Sequence, residues 1–430
     1  MQIRRLQRGK EPKYKIIKNL SLIQAEKFVA NNGIPIYLLP LQDQEVVKID
    51  ITVKAGDYQA QSNLIPLSTL AMLQEGSVSL NAEQIAEKLD FLGAYLFSNS
   101  NQDYVTISVC CIEKHLPEVV NVVSDFLFAP TFPEDKLATH ILKRQEQYKI
   151  DIERVEVLSQ KIFRQALFGQ NHPYGAACEM DDFSKIKRQD LVDFYEKYYV
   201  AEGCKIIICG NPKSQEIKNL IAYLKENKIR TSNNYPKTPI FPIEGDTQLR
   251  HHIEKENAVQ SSINIGKVTI NRTHPDFIPL RILNTILGGY FGSRLMTNVR
   301  EEKGYTYGIG SGVVSLRNSG YFIITSSVGK DVVPQALDAI YYEIKRLRTE
   351  LVPESELSMV KTYIQSSLVR NFDGAFATSG MLEKALEYDI DYIDYYHKYW
   401  KIINKIQSKD LQELANTYLN EDSMYEIVVG

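Results

Sequence analysis

The chain has 430 residues, enough for more than one domain. A hydrophobic content of 44%, a charged content of 24% and a net charge of −3 are ordinary for a globular protein and give no basic footprint for nucleic acid. No apolar run approaches the roughly 20 residues needed to span a bilayer.

In chain order, Met1–Leu20 is basic, with Arg4, Arg5, Arg8, Lys10, Lys13, Lys15 and Lys18, and lacks the apolar centre of a secretory signal. It reads as a polar arm or a first edge strand. Ile36–Leu39 and Val47–Ala55 read as strands, Ile65–Gly76 and Ala82–Leu92 as helices, and Tyr104–Cys111 as a strand. An amphipathic helix over Pro117–Phe128 and a long one opening at Pro133-Glu134 follow. Asp190-Leu191 opens a further helix that leads into the strand Lys205–Gly210.

The same order returns after an offset of about 220 residues. Ser262–Thr269 reads as a strand, Pro275–Leu287 as a helix, and Tyr305–Val313 with Gly320–Ser326 as a hairpin. Pro334–Leu347 and the helix opening at Pro353-Glu354 match their counterparts, since Pro is tolerated in a first helical turn. Asp410-Leu411 opens a helix that leads into Glu426–Gly430. A period this long means two copies of one domain, not a solenoid. Thr231–Gly245 is rich in Ser, Asn and Pro and reads as a linker. The expectation is an α+β protein with an antiparallel-rich sheet backed by helices in each half. Its units would be 1–230, a linker over 231–245, and 246–430.

The five cysteines, Cys110, Cys111, Cys178, Cys204 and Cys209, are odd in number and form no C-x-x-C. Cys110, Cys111 and Cys209 lie in apolar strand-like runs. They read as buried thiols in a reducing compartment, so the cytoplasm is expected, with periplasm or an organelle still open.

The densest motif is Ile286–Gly312. A Gly-rich turn, Gly288-Gly289-Tyr290-Phe291-Gly292, precedes a short helix that starts at Ser293, carries Leu295, Met296 and Val299 as apolar positions, and stops at Gly304. Arg300 sits near the helix end and Tyr307 stands seven residues on, just inside a strand. A cation and a phenol delivered together could grip a carbonyl oxygen; the plainer alternative is a helix-capping Arg and a half-buried Tyr.

This run resembles the C-terminal half-motif of the pitrilysin/insulysin-type zinc metallopeptidases, which include the mitochondrial processing peptidases. The matching residues are Gly288, Gly289, Ser293, Arg294, Leu295, Arg300, Gly304 and Tyr307, and the resemblance covers essentially the whole chain. It implies two homologous α/β domains facing each other as half of a clamshell. In that family a first-half helix carries His-x-x-Glu-His, two zinc ligands and a general base. Here the flanks Ala55-Gly56 and Met72–Ser77 match, but the five positions hold Leu67, Ser68, Thr69, Leu70 and Ala71. Leu67, Leu70 and Ala71 follow i, i+3, i+4 and are expected to face a core. A further family ligand falls within Glu146–Lys149, where Glu146 is either a remnant or a solvated helix residue. No two of the seven histidines stand at i, i+4.

The resemblance therefore implies a non-zinc subunit. Arg300 and Tyr307 would be its catalytic pair, Gly288, Gly289, Gly292 and Ser293 would line the substrate, and zinc would reside in a homologous partner subunit. Peptides would be the substrate; a homodimer, or a subunit that only binds peptides, stays open. The aromatic run Tyr388, Tyr392, Tyr395, Tyr396, His397, Tyr399 and Trp400 reads as helix packing or subunit surface rather than a ligand platform.

Overall fold

The computed structural model describes residues 17–41, 44–60, 64–226 and 229–430. Most of the basic N-terminal stretch lies outside them. The first half runs β1 (Glu26–Val29), β2 (Pro35–Pro40), β3 (Val46–Val53), α1 (Asp57–Ala60), α2 (Leu64–Met72) and α3 (Ala82–Phe91). It continues through β4 (Tyr95–Ser100), β5 (Val105–Ile112), α4 (Leu116–Phe128), α5 (Glu134–Ile152), α6 (Val155–Phe168), α7 (Arg188–Tyr198), β6 (Cys204–Gly210) and α8 (Gln215–Lys225). The second half runs β7 (Arg250–Ile253), β8 (Gln260–Thr269), α9 (Phe277–Gly288), a π-helix over Met296–Glu302, β9 (Thr306–Leu316) and β10 (Ser319–Gly329). It ends with α10 (Val333–Thr349), α11 (Glu354–Asn371), α12 (Gly374–Leu386), α13 (Tyr392–Lys405), α14 (Ser408–Tyr418) and β11 (Tyr425–Val429).

The repeat is visible in the topology. The first sheet has the order β1-β2-β6-β3-β5-β4 and the second β7-β11-β8-β10-β9. In each, the strand that ends the half lies parallel to one neighbour and antiparallel to the other: β6 between β2 and β3, β11 between β7 and β8. Each sheet ends in a hairpin-like outer pair, β5–β4 and β10–β9. Likewise α2 packs on α7 as α9 packs on α14. The fold is thus two homologous α/β domains, each an antiparallel-rich sheet backed by helices.

The helices do not all stay with their own sheet. Helix α6 of the first half packs on β8 and β11 of the second, while α12 of the second packs on β6, β2 and β3 of the first. Phe163 and Leu167 of α6 are buried with Leu316, Ile427 and Val429. Ala375 and Leu382 of α12 share a core with Leu39, Ile207 and Cys209. Polar contacts fix the register of the exchange. Thr52 and Thr106 donate to the Glu383 carboxylate at 3.1 and 2.6 Å, and Lys48 donates to Ser379 at 3.0 Å.

The β9–β10 turn is the third tie. The Arg317 backbone N–H and the Tyr174 hydroxyl both donate to the buried Asp103 carboxylate, at 2.9 and 2.7 Å. Arg317 also pairs with Asp389 at 2.5 Å. All five cysteines are free thiols, and burial pushes Cys111, Cys178, Cys204 and Cys209 up to about 12. No helix among the described residues is long and apolar enough to cross a membrane.

Candidate functional site

Helix α2 carries the five positions where the resemblance places a zinc motif. Leu70 joins the first-half core and Ser68 and Thr69 are buried, but Leu67 and Ala71 are only half-buried. The expectation that Leu67, Leu70 and Ala71 all face a core is therefore corrected. The helix turns Leu64, Ser68, Thr69, Leu70 and Met72 inward, and Leu67 lines a cavity of about 320 Å³.

That cavity is bordered by Arg144, Arg164 and Lys161, with Asp57 and Asp151 opposite in charge. Lys161 is tied to Glu179 at 2.7 Å and to the Tyr148 hydroxyl at 3.1 Å. Burial lifts the Asp57 carboxyl to about 7, against the opposing pull of Arg164. Glu146 is exposed on α5 and pairs with Lys149 at 2.6 Å, as a solvated helix residue does. Leucine and alanine offer zinc no ligand atom, and no three His, Cys, Asp or Glu side chains among the described residues come together to hold one. The residues do not fit a metal.

The second-half motif has a different character. Gly288 closes α9 against β9; a Cβ there would meet Ser311 Oγ at 2.5 Å, so close helix–strand packing requires glycine. Gly289 and Gly292 are exposed, whereas Ser293 is 1% exposed, its hydroxyl buried without a partner among the described residues. The helix expected after Ser293 is a π-helix over Met296–Glu302, with Lys303 N–H donating to Asn298 C=O at 3.1 Å. Such widened turns recur at functional sites. Leu295 and Val299 anchor it in the core, and Gly304, at φ +66°, ends it.

Two polar clamps hold the widened turn. Arg294 makes a two-pronged pair with Glu356 of α11, at 2.9 and 2.8 Å. Asn298 donates to Glu343 of α10 at 2.5 Å, and Arg346 holds the same carboxylate at 3.2 Å. Arg300 projects from the far side. It is half-exposed, its guanidinium lies 4.8 Å from the Phe291 ring centre, and its nearest carboxylate, Glu301, is at 3.9 Å.

Tyr307 is 92% exposed on β9, the outer strand of the second sheet. Between Thr306↔Val328 and Ile309↔Ser326, β9 advances three residues while β10 advances two. Tyr307 therefore sits in a β-bulge, a device that re-aims a side chain out of the ladder. The bulge is pinned beneath it: the Gly308 N–H donates to Thr306 Oγ1 at 3.0 Å, and Ser326 donates to Gly308 C=O at 3.0 Å. The Tyr307 hydroxyl is left to solvent or to a ligand.

Sequence reasoning missed Phe291 as the rest for Arg300 and Glu356 as the anchor of Arg294. The Gly-Tyr-Phe-Gly turn was the available signal for the first. For the second there was none, because the pair joins positions 62 residues apart. The aromatic run packs as expected, with Tyr392, Tyr395, Tyr396 and Trp400 buried, but Tyr388, Tyr396 and Tyr399 also wall a second cavity.

Comparison with known proteins agrees with this architecture. Residues 39–179 match the family model "Insulinase (Peptidase family M16)", and residues 185–364 match "Peptidase M16 inactive domain". Among curated relatives, the "Uncharacterized zinc protease YmxG" of Bacillus subtilis is 22% identical over 81% of this chain and 84% of its own length. The "Probable inactive metalloprotease YmfF" of the same organism is 22% identical over 84% of each. The crystal structure of a peptidase M16 inactive domain from Pseudomonas fluorescens superposes with a TM-score of 0.84. It is 22% identical and covers 94% of this chain and 98% of its own. With both halves matched in order and the duplicated α/β fold in place, the chain belongs to the M16 (insulinase-like) peptidase family.

Proposed function

We propose that this chain is the non-metal subunit of a two-subunit peptidase, one that contributes Arg300 and Tyr307 to a site completed by a homologous zinc-bearing partner. The observation that carries the reading is Tyr307: a phenol that a pinned bulge turns wholly outward, in a chain whose metal helix has become a packing helix. An exposed donor held by a rigid strand suits a carbonyl oxygen that gains charge as a peptide bond is attacked. Donors placed there stabilise the transition state more than the ground state. Arg300, held against Phe291, would orient the substrate carbonyl or share that charge. Gly289 and Gly292 would admit the peptide backbone, while Gly288 and Ser293 shape the turn from inside. The units 1–230 and 246–430 would act as one jaw of the enclosure.

The test is reconstitution with a homologous subunit that has the zinc motif. Tyr307→Phe should lower kcat by about 10²–10³ without changing assembly. Full activity in Tyr307→Phe and Arg300→Ala complexes would remove the catalytic role. A second reading, a subunit that binds peptides without cutting, is favoured by the naming of the Bacillus relative as inactive. It predicts saturable peptide binding with no turnover in any pairing.

A further inference from the structure

A cavity of about 530 Å³ lies between α9, β9, α11 and α13 and opens beside Gly289. Three cations line it, Arg272, Arg281 and Lys384, against one carboxylate, Glu387. Arg272 is caged by rings, its guanidinium 5.6 Å from the centre of Tyr388 and 5.4 Å from that of Tyr395. Its one side-chain hydrogen bond goes to the Tyr396 hydroxyl at 3.3 Å, and its Nε has no partner among the described residues. It makes no ion pair with a carboxylate of the described residues, and the opposing charge it feels in the cavity is that of Glu387. Arg281 rests on Tyr399 at 5.8 Å and pairs with no carboxylate of the described residues. Burial lifts Glu387 to about 7, which further weakens the one opposing charge.

A largely buried guanidinium with only a weakened, non-contacting carboxylate to oppose it is costly unless something supplies a closer anion. The same cavity holds a second orphan of opposite sense: Asn284 donates its amide to Ser311 C=O at 3.1 Å, leaving its Oδ1 buried and unpaired. The vacant donor calls for an anion and the vacant acceptor for an N–H. A carboxylate attached to an amide-linked residue offers both; a hydrogen phosphate also carries an O–H, and the test below separates the two. Phe277, Ile364 and Leu368 add an apolar wall for a side chain.

We infer that this cavity binds the C-terminal residue of a peptide, its carboxylate on Arg272, Arg281 and Lys384 and its backbone N–H on Asn284. The inference rests on the peptide-binding reading above and sharpens it. Gly289 and β9 border both the cavity and the Arg300/Tyr307 motif, so a peptide anchored here by its end would run toward that motif.

The test is fluorescence anisotropy on the intact chain, using one N-terminally labelled decapeptide as free acid, as C-terminal amide, and as amide with an internal Glu. The free acid should bind at least about tenfold tighter than either amide. Arg281→Gln/Lys384→Gln should reduce that preference to what Arg272 alone supplies; both side chains are exposed, so the fold is spared. Equal affinity for acid and amide, equal affinity for the internal-Glu amide, or displacement by inorganic phosphate as tight as the peptide would each overturn the assignment. Equal acid and amide affinity leaves the Arg300/Tyr307 role standing. Acid-selective binding beside an inert reconstituted complex does the reverse.

Discussion

Replacing Asp57 by Asn should make the protein more stable at pH 8 and by clearly less at pH 5. The Asp57 carboxyl titrates at about 7 in the folded chain because burial disfavours its ionised form, a penalty that Asp103 increases and Arg164 only partly relieves. In the unfolded chain it titrates near 3.8. Below about pH 3 both states hold the proton and the group is neutral to stability. As pH rises toward 7 the unfolded chain ionises first, so stability falls, and above 7 the full penalty persists. About three pH units correspond to at most about 4 kcal/mol. That net shift already contains the Arg164 attraction, so a gain of about 2–4 kcal/mol at pH 8 is expected. The assay is urea unfolding of both proteins at pH 5 and pH 8, comparing midpoints at unchanged slope. Glu387, also raised by burial, titrates in both proteins and cancels in the comparison. Parallel curves at the two pH values, or a less stable variant at pH 8, would refute the reasoning.

Arg294→Ala leaves Glu356 without its two-pronged partner at the π-helix; breaking such a pair should cost about 3–5 kcal/mol in chemical denaturation. Phe291→Ala removes the ring beneath Arg300. In the reconstituted complex, kcat/KM should fall by roughly 2–5-fold, as the loss of a cation–π contact of about 0.5–1 kcal/mol implies, with circular dichroism unchanged. Phe163→Ala opens a cavity between α6 and the second sheet and should destabilise by about 3–5 kcal/mol. Hydrogen exchange in that variant should loosen β8 and β11, although the substitution lies in the first half.

The duplicated domain was legible because its markers are local: Pro-Glu helix starts, Asp-Leu helix starts, and apolar runs such as Lys205–Gly210. Strand β4 was not. Tyr95–Ser100 is exposed along most of its length, so no alternation marks it, and β7 is a short run of charged and polar residues. The segment after Ser293 has the apolar spacing of an ordinary helix. Its widening depends on Glu356 and Glu343, brought in from α11 and α10, which no local pattern reveals. The bulge at Tyr307 likewise depends on a register with β10. On α2, Leu67 follows the spacing of a core residue, yet the neighbouring α5 and α6 leave a cavity there instead of a wall.

The exchange of α6 and α12 has a consequence for how the chain is made. β6 is complete at Gly210, but α12, which covers its face, ends at Leu386. At ordinary rates of synthesis the intervening stretch takes roughly 10–35 s to emerge. Throughout that interval Leu39, Ile207 and Cys209 lack the helix they are buried against in the finished protein. A nascent first half is therefore a sheet with one bare apolar side. It depends on a chaperone, or on rapid arrival of the second half, to avoid meeting another chain first.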